Sequence, residues 1–351
     1  MLKHRGMSLI ELMVAMAIGL IISAAMTAIF VTSIKMKHEI DRMGEQIENG
    51  RIAMDWLSTD IGLAGFWQGL EYTGMSDPAL PDICATDVAA LKAAVPIYIQ
   101  GIDTVTAGTA PTCLSDVKSG TDIVAVRRAS TCIEGDSGCN PDGIGPYFQA
   151  SNCTPPAEKS DGTAGVVALG AELGSPATAD WYAVAAATAS LTLHKRDCGN
   201  TTAHPPDFPT PPYLADIRRY IARIYFIANN DRAGDGLPSL KMAELHGTVW
   251  AISTIASGIE QMELEYGQDT GGDTTADSYV TAPTTVPAWR QMVAVKIHLL
   301  SRNSSPSPDY KNTSKTYVLG GTTFGPFTDQ IRRHEFSSLV GIRNPVGLRG
   351  G

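Results

Sequence analysis

The segment Met1–Ile34, MLKHRGMSLIELMVAMAIGLIISAAMTAIFVTSI, decides how the rest of the chain is arranged. It opens on a short basic stretch holding Lys3 and Arg5, then runs from Met7 to Ile34 with Glu11 as its one acidic or basic residue. As a helix rising about 1.5 Å per residue, that run extends roughly 42 Å, more than a hydrocarbon core of about 30 Å. It is long enough to cross a membrane. Because the basic residues come first, the positive-inside rule leaves Met1–Gly6 in the cytoplasm and sends everything after Ile34 to the far side. An ordinary secretory signal has an apolar stretch of only about 7 to 15 residues and a small-residue cleavage site. A plain membrane anchor leaves Glu11 unexplained, since a carboxylate near the start of an apolar helix is costly unless something neutralises it.

Beyond this run the first proline is Pro78, and Ile40, Met43, Ile47, Met54, Leu57, Ile61 and Ala64 recur at spacings near three and four, with Gly50 filling the one gap. Such spacing places an apolar stripe on one helical face, so the spacing predicts a single rod reaching about Ala64, ended by Gly65 and Gly69. From about Cys84 to Pro212 the chain is rich in Gly, Pro, Ser, Thr and Ala and reads as a loop-rich insertion, with a strand over Asp122–Ala129. Further strands are predicted over Arg219–Ala228, Ile259–Tyr266, Met292–Leu300 and Phe336–Ile342, separated by turns such as Asn229-Asn230-Asp231, Gly234-Asp235-Gly236 and Gly271-Gly272-Asp273. Alternation and β-branched content favour an antiparallel sheet with one buried face. The fold class is α+β, a long helix laid on that sheet.

The six cysteines, Cys84, Cys113, Cys132, Cys139, Cys153 and Cys198, all lie in the middle region. Their even number and the export signal point to disulfides in an oxidising compartment. Sequence leaves the pairing open, with Cys132 and Cys139 joined only by proximity. A metal centre fits less well, since no pair has CxxC spacing. With 27 basic against 36 acidic residues and a formal net charge of -9, the chain has no basic stripe for phosphate contacts, and no nucleic acid partner is expected.

Gly6-Met7-Ser8-Leu9-Ile10-Glu11-Leu12 resembles the leader boundary of the type IV pilin family. By that resemblance, prepilin peptidase cuts between Gly6 and Met7 and methylates the new amino terminus at Met7, where the family usually has Phe. It further implies that Glu11 faces the terminal amine of a neighbouring subunit during assembly, offsetting its desolvation. Several later segments are similar to the PilW group of minor pilins: Trp56–Gly69 with its Ala64-Gly65-Phe66 element, Tyr225–Asn230, Ile259–Met262 leading to Tyr266-Gly267, Arg302-Asn303, and Phe336 through Arg343-Asn344-Pro345. The resemblance covers about the first 70 residues and most of the last 135 or so, and does not extend to the cysteine-bearing middle. The resemblance divides the chain into a leader (1–6), a membrane and assembly helix (7–34), an amphipathic helix (35–69), the insertion (70–212) and a β-region (213–351). It implies a non-enzymatic minor pilin that primes pilus assembly, held in the inner membrane with its carboxyl-terminal part in the periplasm and later sited at the pilus tip. The implied partners are other minor pilins, the major pilin and a large tip adhesin. A minor pseudopilin of type II secretion and a tip adhesin module are the alternatives.

Little catalytic chemistry stands beside this. Asp269, Asp273 and Asp277 recur every four residues in a Gly-containing loop and form a candidate calcium site, although the spacing departs from the EF-hand pattern. The seven histidines, among them His194, His204, His246, His298 and His334, are scattered without an HExxH pattern or a nucleophile elbow. Gly320-Gly321 lacks the Lys-Ser/Thr of a phosphate loop and reads as a turn. No catalytic residue and no cofactor is expected.

Overall fold

The computed structural model describes residues 8–68, 79–106, 108–150, 182–191, 193, 215–307, 310–311 and 313–344. Gly6, Met7, Gly69, Cys153, His194, Cys198, His204 and Pro345 lie outside these.

The chain begins with α1 (Leu9–Gly62), 54 residues of uninterrupted helix and about 80 Å long at 1.5 Å per residue. Ser8 is its N-cap: the Ile10 amide donates to Ser8 Oγ at 3.4 Å, and the Ser8 amide donates to Glu11 Oε2 at 3.0 Å. This capping box satisfies amides that the first helical turn otherwise leaves without partners. The helix closes at Leu63, and Gly65, at φ +71°, turns the chain away. That left-handed conformation is the one glycine adopts at no steric cost.

After α2 (Val88–Ala94) the chain forms strands β1 (Ile99–Ile102), β2 (Ile123–Ala129), β3 (Tyr147–Ala150), β4 (Tyr182–Ala185), β5 (Ile217–Ala228), β6 (Ser239–His246), β7 (Val249–Ser257), β8 (Ile259–Gln268) and β9 (Ser278–Val280). A short helix α3 (Val286–Arg290) leads to β10 (Met292–Arg302), β11 (Tyr317–Leu319), β12 (Thr322–Phe324) and β13 (Arg333–Gly341). All described pairings are antiparallel. The larger sheet runs β1-β2-β5-β3-β4, with β6 added to β5 and β7 to β6; the smaller runs β13-β10-β8-β9, and β11 and β12 form a separate hairpin.

Two differences from the sequence reading follow. The expected sheet is two larger sheets, and the middle of the chain is woven into one of them: β2 lies between β1 and β5 with every residue buried. The buried line of α1 is Gln46, Gly50, Ala53, Leu57, Asp60, Ile61 and Gly62, whereas Ile40, Met43 and Ile47 are exposed. The predicted stripe holds at Gly50, Leu57, Ile61 and Ala64 and fails at Ile40, Met43 and Ile47, and the smaller sheet comes close at Gly50, where a Cβ would lie 2.1 Å from the Phe336 ring of β13. Gly50 is the seat of that ring.

The main core lies where the carboxyl half of α1 meets both sheets, with Ala53, Leu57 and Ile61 against Val126, Tyr225, Met262, Val295, Ile297 and Val340. Burying a side chain of this size contributes about 1.5–3 kcal/mol, so this contact dominates the attachment of the helix.

Candidate assembly helix and its seat

α1 meets two environments. Its amino-terminal apolar window is free of the other described residues, with none of it buried. Leu9, Leu20, Ile21, Met26 and Ile29 are each at least two-thirds exposed. Beyond the membrane-length run, Met36, Ile40, Met43 and Ile47 continue an exposed apolar line at spacings of four, three and four. An apolar surface of this extent is expected to meet lipid or protein rather than water.

From Glu39 onward, polar contacts begin to seat the helix. Arg42 Nη1 donates to the Pro306 carbonyl at 2.6 Å, Ser307 Oγ donates to Glu39 Oε2 at 2.7 Å, and Gln46 Nε2 donates to the Ser301 carbonyl at 2.9 Å. At the other end Asp60, 2% exposed, is the hub of a buried ionic network. Arg128 Nε (2.9 Å) and Arg223 Nη1 (3.1 Å) donate to its Oδ1, and the Tyr225 hydroxyl donates to Oδ2 at 2.9 Å. Glu244 extends the network, accepting from Arg223 Nε at 2.8 Å and lying 2.7 Å from Arg219 Nη2. Burial disfavours the Arg223 charge, but Asp60 and Glu244 outweigh it and hold its pKa above the ordinary value. Burial, then the Asp60 charge, raises the Tyr225 hydroxyl, which stays a neutral donor. The network joins the end of α1 to β2, β5 and β6.

The Ala64-Gly65-Phe66 element has a physical role here. The Gly65 amide donates to the Arg127 carbonyl at 3.0 Å and the Ala129 amide to the Phe66 carbonyl at 2.7 Å, so the exit from the helix is laid along β2. Trp67 then buries its ring against Phe148 (4.7 Å between centroids) and Tyr220 (5.1 Å). Asn344, of the terminal Arg-Asn pair, donates to the Leu63 carbonyl at 3.2 Å and covers the end of α1. Sequence reasoning missed Asp60, Gln46 and the Ser8 cap. The spacing Ser8-x-x-Glu11 was a signal for the cap, and Asp60 stood out as an acid beside the apolar stripe; nothing in the sequence marked Gln46.

The other candidate residues are placed apart from this seat. Asp269, Asp273 and Asp277 lie in the β8–β9 loop, where the loop's own donors occupy them: Asp277 Oδ2 accepts from the Thr270 amide (2.7 Å) and the Gly271 amide (2.9 Å), Asp269 Oδ2 from the Thr274 amide (3.0 Å), and Asp273 Oδ1 from the Thr275 amide (2.9 Å). Hydrogen bonds from Thr275 and Thr270 hold Asp273 and Asp277 below the ordinary carboxylate range. Their oxygens do not gather as a set within 4.8 Å. Of the cysteines, Cys84 is bonded to Cys113 and Cys132 to Cys139. His298 sits between Glu265 (3.2 Å) and Ser337 (3.1 Å) at the surface of β10.

Comparison with known proteins agrees with this division of α1. Residues 1–27 match the prokaryotic N-terminal methylation motif, and residues 224–344 match the model of type IV pilus-assembly protein W. The last third of the chain matches the PilW family. The PilW-matching part holds β8, β10 and β13, the strands of the smaller sheet that pack on α1, and Asn344, which covers its end. Residues 28–223, with all six cysteines, lie outside both matches. No curated protein matches the chain. A type IV-like pilin of known structure from Thermus thermophilus is similar at 15% identity and a TM-score of 0.24, over 36% of this chain and 66% of that one, just under two thirds of its length.

Proposed function

We propose that this protein is a minor pilin of a type IV pilus that primes pilus assembly, working from a tip complex with other minor pilins and the major pilin. The observation that carries the reading is the free amino half of α1, apolar and unburied, with Glu11 in its first turn, on a carboxyl-terminal part that matches a pilus-assembly family. In this reading prepilin peptidase removes residues 1–6 at Gly6, and Met7 becomes the methylated amino terminus. The helix then holds the protein in the inner membrane with its sheets in the periplasm, until it moves into the filament at the cell surface. The 70–212 region, behind no family match, is the part a tip adhesin or surface meets, and the 213–351 region is the platform that grips the helix. Glu11, which accepts from the Ser8 amide within the free subunit, exchanges that local bond for the amine of its neighbour, where pairing offsets desolvation.

The test is the intact mass and amino-terminal sequence of the membrane-extracted protein, with and without prepilin peptidase, beside Glu11→Ala scored for surface pili. A chain starting at N-methylated Met7, and loss of pili in the variant, are expected. A chain retaining Met1–Gly6 in peptidase-positive cells overturns the reading in favour of a simple anchor.

A further inference from the structure

Away from α1, three carboxylates meet where the two sheets touch. Asp103, Asp122 and Glu263 each place an oxygen within 4.8 Å of the others. The register of β1 on β2, with Ile102 opposite Ile123, sets Asp103 and Asp122 across from one another. Asp122 is also tied to β8: its amide donates to the Met262 carbonyl at 3.0 Å, and the Leu264 amide donates to Asp122 Oδ2 at 2.8 Å. Its Oδ1 accepts from the Thr104 amide at 2.9 Å, and Asp103 Oδ1 accepts from Thr104 Oγ1 at 2.8 Å.

Two buried polar groups here lack partners among the described residues. Glu263, 6% exposed and so nine-tenths buried, aims its carboxylate at the two aspartates and has no hydrogen-bond donor or cation of the described residues beside it. The Tyr266 hydroxyl, also buried, has no hydrogen-bond partner among the described residues, and it occupies the space over Gly101, where a Cβ would be 2.1 Å away. Burial, then the charges of Asp122 and Asp103, raises its pKa. Among the described residues no lysine or arginine pairs with any of the three acids. Asp103 is exposed, but Asp122 and Glu263 are buried, and like charges this close at buried positions need compensation; an all-oxygen set suits a hard cation.

We propose that Asp103, Asp122 and Glu263 form a site for a divalent cation of the calcium class, with water completing the shell. Since the ligands come from the β1–β2 hairpin and from β8, the ion would clamp the larger sheet to the smaller one. Without it the cluster must share protons: burial, then Asp122, pushes Glu263 up to about 8, and burial pushes Asp122 up to about 6.

The full chain in detergent, stripped with a chelator, is to be titrated with terbium chloride and back-titrated with calcium chloride. Tyr266 and Trp289, with ring centroids 4.8 Å apart, serve as the luminescence donors. Saturable binding of one ion per chain is expected, with calcium affinity of about 10⁻⁴ to 10⁻³ M, the range of extracellular modules. Glu263→Gln should weaken it by about tenfold or more, roughly the loss of one charged ligand, while Asp273→Asn in the β8–β9 loop leaves it unchanged. A carboxyl raised on folding makes the ion-free protein lose stability, relative to Glu263→Gln, as pH rises from its ordinary 4.5 through about 8. Calcium should restore that loss. The proposal is overturned by absence of saturable binding to the unaltered chain at about 10 mM, well above the range of such sites, by binding that Asp273→Asn removes and Glu263→Gln does not, or by a pH-dependent loss that calcium leaves in place. The last outcome would mark a purely proton-sharing cluster.

Discussion

The amino half of α1 and its last four turns are one unbroken helix, yet they solve opposite problems. The first half carries large apolar side chains on every face, and none of its apolar window is buried by the described residues. The last turns are seated by small residues and polar groups: Gly50 and Ala53 let β13 approach, Gln46 reaches two backbone carbonyls, and Asp60 gathers two arginines and a tyrosine. A surface meant for lipid or identical neighbours can be uniformly apolar, because those surroundings offer no fixed partner. A surface meant for one seat needs shape and directed hydrogen bonds, which reject other rotations of the helix. Apolar size alone does not mark the buried face of such a helix; Met43 and Ile47 are larger than Gly50 and Ala53 and stay outside.

The contrast breaks most readily at Asp60. Asp60→Ala leaves Arg128, Arg223 and the Tyr225 hydroxyl without their shared acceptor, and removing one side of a buried ionic contact costs about 3–5 kcal/mol. Chemical unfolding of the full chain in detergent, followed by tryptophan fluorescence, should show a loss of that size, with membrane retention unaltered. An unchanged midpoint would mean that the hub contributes orientation but no stability. Gly50→Val should be milder, at about 1–3 kcal/mol for overpacking, and the added Phe336→Ala change should recover part of it, because the two share one space; failure of the double variant to recover would place the strain elsewhere. At the small end, Met26→Ala on the free half should shift the unfolding midpoint by no more than about 0.5 kcal/mol, as for exposed positions in general, while lowering incorporation into pili. A larger shift would show that the free half does contact the sheets.

Much of this was legible before any coordinates. The strands at Ile123–Ala129, Ile217–Ala228, Ile259–Gln268, Met292–Arg302 and Arg333–Gly341 fall where alternating apolar runs indicated. The hairpin of Ser239–His246 and Val249–Ser257 was overlooked because β7 is an exposed strand at the edge of its sheet, so that it lacks a clean buried face. The cysteine-bearing middle read as loops since its strands β1, β3 and β4 have four residues each, too few for a period to register, and they are held by pairing with distant partners. The carboxylate cluster was invisible for the same reason: Asp103, Asp122 and Glu263 are far apart in sequence, while the acids that stood close together, Asp269, Asp273 and Asp277, are engaged with their own loop.

The long amino-terminal helix, its membrane-length apolar run, the place of Glu11 and the α+β class follow from local composition and from periods of two and about 3.6 residues that a chain carries wherever it is read. Which face of α1 is buried, that Gly50 accepts Phe336, that Asp60 joins helix to sheet, and that three separated carboxylates meet between two sheets came from tertiary packing. Those depend on how closely elements approach and in what register they pair, quantities set by the packing of residues far apart along the chain.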